Sequence, residues 1–175
     1  MYPLIRLLST SVKARFAEKI SIFDVCETRF RCRPWDLDMF MEVNNGRLLT
    51  LYDLGRFDLV IRSHLVNVLL KNRWGLVVAG SSVRYRRRVR AFDRVTMRTQ
   101  VVGQDEKWTY IAQSIWVKGR PCSSILLRTG VTADGKVIPT DEVAAAMGPE
   151  RLRYVPQWVA AWIAADAERV WPPQP

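Results

Sequence analysis

Five residues in one short stretch have the types that hydrolysis needs: Asp36, Asp38, Asn44, Asn45 and Gly46. A carboxylate can take a proton from water as a general base. It can also attack a carbonyl itself and pass through an anhydride. An asparagine before an apolar periodic run is a helix N-cap. The N–H groups behind such a cap point outward at the positive end of the helix dipole, where a carbonyl oxygen is held and polarised. Acid beside helix start is chemistry for an ester or thioester. Asp38 is the candidate base, and the Asn45 and Gly46 N–H groups are the candidate oxygen holders. Asp36 reads as a brace for the loop.

These groups need a helix behind them. From Leu48 to Leu70 the apolar residues recur at helical spacing, so the sequence predicts one long buried helix from about 45 to 70. Asp53 with Arg56, and Asp58 with Arg62, have the spacing to pair along it. For Asp53 the pairing with Arg56 is the plain role. Gly55 costs about 1 kcal/mol of helix propensity. Something must therefore come close there, either a strand or a bound chain. Leu48, Tyr52 and Gly55 are the candidate lining of an apolar pocket.

The rest of the chain alternates. Cys26, Thr28, Phe30 and Cys32 face one way and Glu27, Arg29, Arg31 and Arg33 the other, which predicts a half-buried strand. Four strand-like stretches follow the helix: 76–90, 95–102, 108–117 and 122–132. Short turns between them predict antiparallel neighbours. In the first of these, alternation puts Arg84, Arg86, Arg88 and Arg90 on one face and Arg87 on the other. Such a stripe suits a phosphate clamp or a plain solvated face. A short helix opens at Pro139 and stops at Gly148-Pro149. A last one follows Pro156, carries Trp158, Val159, Trp162 and Ile163, and ends at Pro172-Pro173. It either packs on the outer sheet or serves as a lid or subunit contact. The segments divide into a leading amphipathic helix (1–24), a core domain (25–139) and a helical extension (140–175).

Composition narrows the functions further. The 175 residues carry a net charge of +10, which favours an anionic partner. Three cysteines, Cys26, Cys32 and Cys122, cannot all pair, and one histidine gives no metal-ligand spacing. They read as buried thiols in a reducing compartment, and no metal or cofactor is expected. His64 lies roughly five turns into the predicted helix, too far to serve Asp38. With no Gly-x-Ser-x-Gly elbow, a serine triad is excluded, and there is no Gly-rich phosphate loop. No apolar run reaches the roughly 18 residues of a membrane span. Met1 to Ile20 is basic and free of acids until Glu18. It reads as a helix packed on the domain, with a transit peptide or membrane-surface helix as alternatives. A cytoplasmic location is expected, with mitochondrial or membrane-peripheral ones open through that segment.

Asp36-x-Asp38, then Glu42-Val-Asn44-Asn45-Gly46-Arg47, then Asp53-Leu-Gly-Arg56, resembles the hotdog-fold thioesterases of the 4-hydroxybenzoyl-CoA type. The match runs from about Thr28 to Pro139. It departs at Glu42, where that family usually has histidine before Val-Asn-Asn. The resemblance implies an α+β hotdog fold, an antiparallel sheet wrapped around a long central helix. It implies a homodimer or higher even oligomer and hydrolysis of an acyl-CoA or acyl-carrier-protein thioester, with Asp38 as the catalytic carboxylate and Asp53, on the central helix, as the second candidate. A non-catalytic acyl-thioester-binding protein of the same fold is the alternative reading. A basic nucleic-acid-binding protein is a third, and the sequence has no base-reading motif to support it.

Overall fold

Asn44 turns the chain into the central helix. Its side chain accepts from the Arg47 N–H at 3.0 Å, closing the first turn of α2 (Asn45–Arg62). The computed structural model describes residues 3–148, 154–170 and 172. Met1, Pro149 and Pro173, used above as element ends, lie outside them. Before α2 come α1 (Leu4–Phe16) and strand β1 (Cys26–Arg31). After it come α3 (Leu65–Asn72), β2 (Gly75–Tyr85), β3 (Arg94–Gln104), β4 (Thr109–Val117), β5 (Arg120–Ala133) and a short β6 (Lys136–Ile138). The chain closes with α4 (Thr140–Met147) and α5 (Gln157–Ala167).

The strands form one antiparallel sheet in the order β1-β3-β4-β5-β2, with β6 paired to β5. The sheet curls around α2, as expected. Leu48, Leu51, Tyr52 and Leu54 of α2 pack against Met97, Ile115, Ile125 and Leu127. Burial of each such leucine contributes about 1.5–3 kcal/mol. The other sheet face is covered by α5, where Val159, Trp162 and Ile163 meet Tyr110 and Leu126. Arg128 stacks on the Trp162 ring and bonds Asp166 at 3.1 Å, fixing that helix to β5. Of the two roles weighed for the last helix, α5 therefore fills the sheet-packing one.

Three local expectations are corrected. The single helix from 45 to 70 is two helices, because His64 takes a left-handed conformation at φ 63°. The turn lets α3 cross back, so Leu65 and Leu69 reach Val131. Asp58 does not pair with Arg62: it accepts from the Thr28 hydroxyl at 2.6 Å, while Arg62 donates to the Glu18 carbonyl. The strand predicted over 76–90 stops at Tyr85. Beyond it the Arg86 and Arg87 N–H groups both donate to the Cys122 carbonyl, which breaks the alternation. The arginines past Tyr85 thus share no strand face with Arg84.

Candidate active site

The loop that carries the acids is built on Asp36. Its side chain is fully buried, and its two oxygens accept from Arg6 and from Arg47, each at 2.7 Å, and from the Arg33 N–H at 2.9 Å. Burial alone would raise its pKa. The Arg33 N–H and the two guanidiniums outweigh that and hold the carboxyl below the usual carboxylate range. The Asn44 N–H donates to the Asp36 carbonyl at 3.0 Å, so the brace also sets the start of α2. Asp36 holds the loop, as its position predicted.

Asp38 lies one turn further on. Its N–H donates to the Glu42 carbonyl at 2.9 Å, and Leu37 bridges Val43 across the loop. One carboxylate oxygen, Oδ1, accepts from the Phe40 N–H at 2.9 Å. Among the described residues the other oxygen has no partner. The side chain is half-buried.

The start of α2 opens on a cavity of about 230 Å³. Glu42, Asn45 and Leu48 line it from the loop and helix, and Arg86, Arg87, Arg88 and Ser123 from the sheet side. The Val43 N–H donates to the Val89 carbonyl at 3.0 Å, which draws the arginine segment against the loop. Glu42 and Arg88 pair at 2.9 Å across the cavity. The helical ladder leaves the Asn45 and Gly46 N–H groups without an internal acceptor. Beyond the Glu42–Arg88 pair, Arg86 and Arg87 and a helix N-terminus at one cavity favour an anion.

The structure brings Asn45, Leu48, Arg86 and Arg88 into that cavity, with Gly46 beside it in the first turn of α2. Tyr52 sits behind them, buried, with its hydroxyl 2.8 Å from that of Ser123. Burial pushes its pKa well above the ordinary tyrosine value. Gly55 is pressed against Thr99, Met97 and Gln113, so the close neighbour there is the sheet. Arg84 faces the outer groove under α5, with Arg98, Trp116 and Trp158. Asp53 pairs with Arg56, whose other nitrogen donates to Gln113 at 2.8 Å.

That pair borders a feature the sequence reading missed. An apolar cavity of about 250 Å³ runs between α2 and the sheet, walled by Phe57, Leu76, Val78, Ile111, Val143 and Met147. Its lining comes from seven separate elements, α2, α3, α4, β2, β3, β4 and β5, so no periodicity in one segment could reveal it. The three cysteines are buried and unpaired. Burial raises the Cys26 and Cys32 thiols to about 11, so neither is a ready nucleophile.

A family model described as the thioesterase-like superfamily matches residues 32–163. The chain belongs to that superfamily. Protein THEM6 from Xenopus laevis is 35% identical over 80 residues, and Protein THEM6 from Drosophila melanogaster is 32% identical over 99. Those matches take in 46% and 56% of this chain, and only 39% and 51% of the two relatives. Among solved structures, the YbaW probable thioesterase from Escherichia coli superposes with a TM-score of 0.65 at 21% identity, over 70% of this chain and 96% of that one. The DHNA-CoA thioesterase from Staphylococcus aureus gives 0.58 at 16%, over 82% and 91%. Such likenesses establish the hotdog fold read from the motif.

Proposed function

We propose that the protein hydrolyses an acyl thioester carried on CoA or on an acyl-carrier protein. The observation that carries this is the start of α2. Asn45 opens there into a cavity lined by Arg86 and Arg88, with Gly46 next to it in the helix and Asp38 in the preceding loop, outside the lining. The thioester oxygen sits on the Asn45 and Gly46 N–H groups. Donors of this kind are worth about 2.7–4 kcal/mol each to a developing oxyanion. Asp38 takes a proton from water as the water oxygen bonds to the carbonyl carbon. The tetrahedral oxyanion then collapses, the C–S bond breaks, and the thiolate leaves and is protonated. Arg86 and Arg88 hold phosphates of the carrier group. Leu48 lines the entrance, Tyr52 and Gly55 fix the helix behind it, and the apolar cavity beside Asp53 gives the acyl chain room.

The test is release of free thiol from a panel of acyl-CoA and acyl-pantetheine thioesters. Reversing Arg86 and Arg88 to Glu is expected to raise KM for CoA thioesters and flatten its salt dependence. Pantetheine thioesters, which lack the nucleotide phosphates, are expected to change little. Equal losses on both would assign the arginines to folding. A second reading rests on the Glu42–Arg88 ion pair, which puts an acid in the cavity where the related enzymes usually have histidine. Binding of acyl-CoA without turnover would establish that reading, a non-catalytic acyl-thioester-binding protein.

A further inference from the structure

Helix α1 is amphipathic, and its apolar side faces away from the protein. Arg6, Leu7, Thr10 and Ala14 point inward, with Arg6 bonded to Asp36 and Ala14 buried. Leu4, Ile5, Leu8, Val12 and Phe16 fall on the opposite side at helical spacing. They are 66%, 87%, 68%, 48% and 87% exposed. A lone exposed leucine needs no explanation, but a continuous stripe of five marks an interaction surface. The packing alternative weighed above fits only the inward, largely small and polar side of the helix.

Charge identifies the occupant. Helical geometry places Arg15 between Leu4 and Leu8 near one edge of the stripe and Lys13 beyond Phe16 at the other, and α1 has no acid in its first turn or anywhere along it. The whole chain is at +10. A basic-edged apolar stripe is the pattern of a helix lying in the plane of an anionic bilayer surface, its bases at the headgroups and its apolar side among the acyl chains. The Arg6–Asp36 bond ties the first turn of α1 to the loop that carries Met39, Phe40 and Met41. Those three are also highly exposed, at 86%, 69% and 67%.

We infer that the outward side of α1 is a docking surface for an anionic membrane, held peripherally rather than spanned. Among the described residues no helix is long and apolar enough to cross a bilayer.

The experiment is flotation of the 175-residue chain with vesicles of equimolar phosphatidylcholine and phosphatidylserine, against vesicles of phosphatidylcholine alone. The chain is expected to float with the mixed vesicles and much less with the neutral ones. Ile5→Ser with Leu8→Ser is expected to abolish flotation while thermal unfolding stays unchanged, since both side chains are exposed. Lys13→Gln with Arg15→Gln keeps the stripe and is expected to weaken partitioning by about thirtyfold, at roughly 1 kcal/mol per base. No flotation of the parent chain, or flotation that the serine pair leaves intact, overturns the inference. So does a fall in oligomer mass in the serine pair without any vesicle binding, which would give the stripe to a second copy of the chain.

Discussion

Asp36 is the residue on which the geometry of the loop turns. Its buried carboxylate is the shared partner of Arg6 and Arg47. Removing it by Asp36→Ala leaves two largely buried guanidiniums without their acid. Breaking a buried pair on one side costs about 3–5 kcal/mol, so the urea midpoint of Asp36→Ala is expected to fall by a corresponding amount. The sign of the pH dependence follows from the lowered pKa of Asp36. A carboxyl held below its unfolded value stabilises the fold above about pH 4. That stability is lost as pH falls through the folded pKa. Parent stability is expected to drop in that acid range, and Asp36→Asn to show a flatter profile there. The role of Asp36 was legible in sequence because loop acids before an N-cap commonly brace it. Its partner Arg6 was not, since contacts thirty residues apart leave no local pattern.

Among the elements, α2 and the sheet were legible, and the points where they break were not. Periodicity located the start of α2 at Asn44–Asn45, but the apolar run continued past Ser63 and hid the break. His64 turns left-handed there, and nothing in hydrophobic spacing marks that. Alternation located β2 and overran it, because a run of arginines looks the same in a strand and in the irregular segment after Tyr85. Gly55 was read as a close approach, and the sheet is what approaches. A methyl at Gly55 would fall within contact distance of Thr99 Oγ1, Met97 Sδ and Gln113 Nε2. Gln113 has little freedom to yield, being bonded to the Tyr52 carbonyl and to Thr99, each at 2.9 Å. Helix propensity favours alanine by about 1 kcal/mol, while overpacking costs about 1–3 kcal/mol. Gly55→Ala is therefore expected to lower stability by up to about 2 kcal/mol in denaturant unfolding. A rise in stability would mean that the helix and sheet have slack at this point.

For the molecule as a whole, β2 is the feature that asks for a second chain. It lies at the end of the sheet order, and none of its eleven residues is buried. Leu76 and Val78 on it are about half exposed. Paired to β5 on one side only, a strand of this length offers its outer edge as a template for another strand, and two copies about a two-fold axis satisfy each other. Light scattering at micromolar concentration is expected to give a dimer or higher even oligomer; a mass near 20.2 kDa would refute it. The function of that assembly depends on whether the acid beside α2 moves a proton. Steady-state thiol release by the parent chain and by Asp38→Asn, on one accepted acyl-CoA, asks this most directly. Asparagine keeps the size of the side chain and its acceptor for the Phe40 N–H, so the fold is expected to persist. General-base assistance contributes about 10²–10⁴-fold. The expected result is a drop in kcat of that order with KM little changed, the pattern of an interaction made mainly in the transition state. Asp53→Asn is expected to cost far less, and Glu42→His to keep or raise turnover. Full turnover by Asp38→Asn alongside its loss in Asp53→Asn would contradict the account and move the base onto α2.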